Sequence, residues 1–236
     1  MNYQSSSGDE VSKKTLLYSQ DKFVNSPYKF PALVGTWGCG KSLAGLISMN
    51  MVCESHPNNL ALIIRKEFVD LRDSTMQDWR KEIGRPWDGD KNVNYENGST
   101  IMFRHGADLQ SLVNSNLGDV LIVQAEEMTE EEFWYLVGRT RNMNGSLRIR
   151  LEANYAGHNW IWRIWKKKQV MIPDSFRKVI APDDFHLTET NTLENKANLP
   201  ASYIASLEML PERLRSRHYI CSWDDVHGLI NDEYVE

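Results

Sequence analysis

The chain has 236 residues, of which 41% are hydrophobic and 25% charged, and its formal net charge is −5. That composition supplies a buried core and argues against a disordered chain or one coating nucleic acid with a uniformly basic face. Its three cysteines, Cys39, Cys53 and Cys221, lie too far apart for a metal-ligand pair or a disulfide framework, which fits a reducing compartment; no apolar run approaches the ~18 residues of a membrane span.

Residues 1–19 start polar and Ser-rich, without the apolar stretch of a signal peptide, and read as a mobile leader. Apolar runs predict a strand at 30–34, a helix at 43–53, a strand at 60–64 and a polar-capped helix at 73–83. Glu96-Asn97-Gly98-Ser99 is turn chemistry, so 93–95 and 100–103 are expected to form a hairpin. A strongly apolar strand follows at 120–125, then a helix opened by Thr129 with Glu132 three residues on, then a strand at 147–153. This alternation predicts an α/β fold with a mostly parallel central sheet flanked by helices. Beyond Trp160 come a lysine run at 166–168, loops around Pro173 and 182–184, and a helical stretch from 200 to 217. The expected organisation is a leader (1–19), a core (20–160) and a small helical subdomain or linker (161–236).

Gly35-Thr36-Trp37-Gly38-Cys39-Gly40-Lys41-Ser42 fits G-x-x-x-x-G-K-[ST], placed after a predicted strand and opening a predicted helix. Glycines there let backbone amides and a helix N-terminus close on phosphate oxygens. Lys41 would reach the β- and γ-phosphates of ATP, and the Ser42 hydroxyl would join the shell of Mg²⁺. The bland alternative, a chance Gly-rich turn, arises on the order of once in a hundred chains of this length. Upstream, Gln20 is a candidate adenine contact, although a lone Gln ahead of a strand is more often a surface residue.

Hydrolysis also needs a carboxylate near Mg²⁺ and a group that orients water. Glu126, expected to end the 120–125 strand, is the candidate for Mg²⁺ through water, and adjacent Glu127 the candidate general base. Acids at 126–132 would equally suit the first turns of a helix, where the macrodipole favours them.

The order of the loop at 35–42, the segments Ile63-Ile64-Arg65-Lys66 and Leu71-Arg72-Asp73-Ser74, and the strand with acids at 122–127 resembles the ATPase domain of bacteriophage large terminase subunits. Leu151-Glu152-Ala153-Asn154 with Trp160 resembles the family's coupling motif, and 188–223 the stretch that follows. The resemblance implies a P-loop NTPase of the additional-strand, catalytic-glutamate type. It further implies a motor that drives double-stranded DNA into a procapsid, with Asn154 sensing the γ-phosphate. Portal protein and the small terminase subunit are the implied partners, in a homo-oligomeric ring in the host cytoplasm docked on the procapsid, with no membrane involved. Where some members carry an arginine in the phosphate loop, this chain has Trp37. The transition-state charge then falls to Arg65, Arg104, Arg139 or Arg141, from this subunit or a neighbour. Full-length members also carry a nuclease domain, and Asp224, Asp225, Asp232 and Glu233 are too few to build one, so no nuclease activity is expected from this chain. A helicase or repair ATPase, or a nucleotide-dependent switch or kinase, are the competing readings.

Arg163 and the lysines at 166–168, interleaved with Trp160, Trp162 and Trp165, form the only dense basic cluster. It is a candidate grip on DNA phosphates, or the wet face of an amphipathic helix whose tryptophans enter the core.

Overall fold

Strands buried on both faces carry near-continuous apolar runs, and the short apolar segments of this chain become the middle of one sheet. The computed structural model describes residues 2–5, 12–177 and 179–224. A small antiparallel ribbon, β1 (Asn2–Ser5) with β2 (Ser12–Thr15), comes first, so part of the expected leader is paired and part lies outside the described residues. Helix α1 (Tyr18–Val24) then leads into β3 (Ala32–Gly35), α2 (Lys41–Ser55) and β4 (Leu60–Arg65). Next, α3 (Phe68–Asp70) and α4 (Met76–Glu82) join through one wide π-type turn.

The predicted hairpin is β5 (Asn92–Asn94) with β6 (Thr100–His105), turned at Gly98, whose φ is +82°. Then come β7 (Asp119–Ile122), α5 (Glu130–Arg139), β8 (Arg148–Ala153) and β9 (Leu187–Thr190). Two short helices, α6 (Ala201–Glu208) and α7 (Glu212–His218), follow, separated at Pro211, which cannot continue a helix.

The sheet order is β5-β6-β4-β7-β8-β3-β9, parallel throughout except for β5. Alternation along each strand divides the core in two. Val34, Ile64, Ile122 and Leu151 meet Phe133 of α5 and Trp165 on one face, while Leu33, Ile63 and Leu121 meet Leu46, Ile47 and Met49 of α2 on the other. β8 breaks this symmetry: its α5 side is Ile149, Leu151 and Ala153, whereas Arg150 and Glu152 are buried on its α2 side, at 2% and 1% exposure.

Two expectations change. The strand predicted at 120–125 ends at Ile122, because Gln124 adopts a left-handed conformation (φ +50°) and Ala125–Glu127 form a single turn. Glu126 and Glu127 therefore sit on a turn beyond the strand. The boundary expected at residue 160 runs through the sheet, since β9 pairs along β3 from Ala32 to Gly35. Apolar Leu187 alone gives little sign of a strand there, and β9 is built by pairing at an edge.

Candidate functional site

Because β8 lies between β3 and β7, the ends of those three neighbouring strands converge on the loop at 35–42. In that loop Gly38 and Gly40 have φ of +72° and +85°, and a Cβ at Gly40 would fall 2.3 Å from Nε2 of Gln20. α2 starts at Lys41, so loop and helix amides form an anion cradle. Gln20, 4% exposed, braces this cradle: its Nε2 donates to the Gly40 carbonyl (2.9 Å) and its Oε1 accepts from the Leu17 amide (2.9 Å). Its amide is engaged by backbone on both sides rather than held out towards a base.

Lys41 Nζ donates to the carbonyls of Gly35 (3.1 Å) and Thr36 (2.9 Å) and to Oδ1 of Asn154 (3.1 Å). Asn154 in turn donates through Nδ2 to Oε1 of Glu126 (2.6 Å). A polar chain thus runs from the phosphate loop across the end of β8 to the turn after β7. Burial, reinforced by the nearby Glu152 carboxylate, pushes the Glu126 carboxyl up to about 7. Its Oε2 is buried and has no hydrogen-bond partner.

The adjacent acids diverge. Glu127 turns towards β4, where its Oε2 is 3.8 Å from Nε of Arg65; burial raises its pKa and Arg65 opposes that rise. The carboxylate that meets Ser42 comes from elsewhere: Oε1 of Glu152 accepts from the Ser42 hydroxyl (3.2 Å) and from the Gln124 amide (3.2 Å). Glu152 escaped sequence reasoning because Arg148, Arg150 and Glu152 alternate with apolar residues, the pattern of a strand with one wet face. Among the described residues no three His, Cys, Asp or Glu side chains gather to hold a metal. The donor set still fits Mg²⁺, which binds through one or two carboxylates, a hydroxyl, phosphates and water. The orphaned Glu126 oxygen and the Ser42–Glu152 pair are what such an ion requires.

Of the four candidate arginines, only Arg65 sits at the carboxyl end of the sheet beside these acids, also 3.8 Å from Asp70. Arg104, on β6, is bonded to the Asp90 carbonyl (3.0 Å) and Asn92 (3.0 Å), four strands from β3 and so about 19 Å across the sheet. Arg139 (to the Val113 carbonyl, 2.7 Å) and Arg141 (to Asn116, 2.6 Å) lie where the chain enters β7, at the opposite end of the strands from the loop. None of these three reaches the loop of its own subunit.

The segment after β9, for which residue order offered a resemblance but no role at the loop, clamps the loop. Thr192 donates its amide to Oγ1 of Thr36 (2.7 Å) and its hydroxyl to the Trp37 carbonyl (2.7 Å), and Asn195 donates to the Gly38 carbonyl (2.7 Å). Trp37 stacks on His218 of α7 with centroids 3.8 Å apart; burial and the charge of Lys41 push that imidazole down to about 4. The Trp37 position thus meets an aromatic partner from α7. In the basic cluster, Trp165 is buried with its indole on the Phe30 carbonyl (2.8 Å), and Trp160 caps the Met128 carbonyl (2.8 Å). Arg163 pairs with Glu130 and Lys166 with Glu189, while Lys167 lies over the Trp162 ring. Of the three tryptophans Trp165 alone is fully buried, and Arg163, Lys166 and Lys167 each have a partner within the chain.

A parallel sheet with one strand inserted between the loop strand and the strand leading to the acids, plus a glycine-lined loop opening a helix, defines a P-loop NTPase fold of the additional-strand type. The family model described as phage terminase large subunit matches residues 28–220. The chain belongs to the phage terminase large subunit family. No curated protein matches it in sequence. Among solved structures it is similar to the large terminase of a thermophilic bacteriophage in complex with ADP (TM-score 0.66, 14% identity, 89% of this chain and 54% of that one). It is similar to the same phage protein in complex with ATP-gamma-S (TM-score 0.66, 13% identity, 89% and 53%). It also resembles the large terminase ATPase domain of Thermus phage P74-26 (TM-score 0.60, 10% identity, 89% and 94%). The chain spans about half the length of the first of these proteins. At these identities the likeness shows the fold.

Proposed function

We propose that this chain binds ATP·Mg²⁺ on the loop at 35–42, hydrolyses it, and is the ATPase part of a motor that moves double-stranded DNA into a procapsid. The observation that carries the reading is the chain Lys41–Asn154–Glu126, which ties the phosphate loop to the two neighbouring strand ends. Lys41, released from the Gly35 and Thr36 carbonyls, holds the β- and γ-phosphates together with the loop amides. Bound Mg²⁺ supplies charge neutralisation at those phosphates. Ser42 offers it a hydroxyl. In this reading Glu127 orients the attacking water, and Arg65 beside it supplies positive charge in the same subunit. Asn154, bonded to both Lys41 and Glu126, senses the γ-phosphate: its loss frees Lys41, and the change passes through Asn154 to the turn after β7. The clamp from Thr192, Asn195 and His218 carries loop movement to α6 and α7. Portal protein, the small subunit and neighbouring copies of the chain are the partners this reading implies.

Lys41→Ala is expected to abolish ATP turnover and weaken nucleotide binding. Glu127→Gln is expected to keep binding while turnover falls by about 10²-fold or more. Steady-state ATPase assays with double-stranded DNA and portal-bearing procapsids check this; unimpaired turnover in Lys41→Ala would sink the reading.

A further inference from the structure

β8 buries a carboxylate that the fold does not need. Glu152 is 1% exposed at the end of a central strand, and its hydrogen-bond donors are the neutral hydroxyl of Ser42 and the neutral amide of Gln124. No Lys or Arg forms an ion pair with it among the described residues, whereas Arg150, two residues earlier on the same face, is paired with Asp119 at 2.7 Å. A buried carboxylate without a cation is expensive, and a folded chain retains one where a cation arrives from outside. A second observation points to the same place. Oε2 of Glu126, facing the same pocket of charge, is buried with no partner. The left-handed kink at Gln124 makes room for this arrangement: it ends β7 ahead of Glu126 and turns the Gln124 amide onto Glu152.

We propose that Glu152, from the strand inserted beside the phosphate loop, is the carboxylate that orients Ser42 and the water shell of the divalent cation, the task expected of the acid following β7. The carboxylate behind Ser42 thus comes from β8, while on the turn after β7 Glu126 is tied to Asn154 through one oxygen and Glu127 faces Arg65. Glu152 is a positioning residue: it acts on the cation through the Ser42 hydroxyl and through water. The inference rests on the nucleotide-binding reading above.

The test is binding of ATP-gamma-S, measured by calorimetry with Mg²⁺ and with a chelator, and Mn²⁺ bound to the protein–nucleotide complex, counted by electron paramagnetic resonance. The wild-type chain should bind more tightly with metal. Glu152→Gln should lose about 10- to 100-fold of that metal-dependent gain, the usual range for a residue behind a metal ligand. Its affinity in chelator should be unchanged or tighter, since a negative charge near the phosphates is gone. Its thermal midpoint should equal or exceed that of the wild type, a result that a merely structural Glu152 would not give. Glu152→Asp, which keeps the charge and shortens the reach, should retain part of the metal gain; if the Gln variant fails to fold, this variant decides. Full metal gain in Glu152→Gln, or in Glu152→Asp where that variant decides, overturns the inference and leaves the nucleotide site standing. Absence of nucleotide binding by the wild-type chain under both conditions overturns the underlying reading instead.

Discussion

The two ends of β8 bury charge under opposite rules. At the entry, Arg150 donates to Oδ1 of Asp119 (2.7 Å), and Asp119 also receives the Asn59 side chain (2.9 Å) and the Ser146 amide (2.9 Å). At the exit, two residues further along the same face, Glu152 has two neutral donors and Glu126 an unpartnered oxygen. At the entry both charges are matched in one buried ion pair, so it specifies how β7 and β8 align. The exit is open, and an open set of buried acids beside a phosphate loop is suited to a ligand that brings cationic charge.

The largest expected effect tests the closed end. Arg150→Met removes one partner of a buried pair and leaves Asp119 charged inside the sheet, so stability should fall by about 3–5 kcal/mol. Asp119→Asn combined with Arg150→Met should recover much of it, because no uncompensated charge remains. Urea unfolding of both variants checks this; a loss below ~1 kcal/mol in the single variant would erase the contrast between the two ends.

The open end should respond with the opposite sign and a pH dependence. The folded Glu126 carboxyl titrates at about 7 against an ordinary 4.5. A raised carboxyl pKa means that the folded form prefers the proton, so its contribution is complete below pH ~4.5 and is lost as pH rises through ~7. Glu126→Gln, neutral throughout, escapes that loss. In chelator, the variant should gain on the wild type between those limits, by roughly 1–3 kcal/mol at pH 8. Thermal melts at pH 5 and pH 8 measure it; equal differences at both pH values would place Glu126 in contact with solvent.

The same contrast explains what could be read from residue order. The loop at 35–42 and the apolar runs behind β3 and β4 are local signals, each carried by consecutive residues, and they lie where they were expected. The hairpin at Asn97-Gly98 and the helix opened by Thr129, whose hydroxyl accepts from the Glu132 amide while Glu132 bonds back to the Thr129 amide, are equally local. Three features were not legible, and two of them depend on pairing between distant segments. β9 owes its place to β3, more than 150 positions away by number, and the Thr192 clamp follows from that pairing. Glu152 had no role of its own in residue order, and its burial follows from the central place of β8 in the sheet. The end of β7 was placed too late because Val123 and Ala125 continue the apolar pattern while the backbone at Gln124 has already turned away.

The smallest effect concerns charges that are paired but wet. Lys166 sits 2.5 Å from Glu189 with both side chains more than a third exposed, at 41% and 34%. Solvent screens such a pair, so Lys166→Ala should change stability by no more than about 1 kcal/mol. If Lys166 and Lys167 instead grip DNA, replacing both would lower the slope of log affinity against log salt by roughly 2, close to one for each phosphate no longer neutralised. Their engagement with Glu189 and the Trp162 ring predicts an unchanged slope. A salt titration of double-stranded DNA binding by the double variant separates the two outcomes. A lowered slope would move this surface from the paired class to the open one, beside the acids at the end of β8.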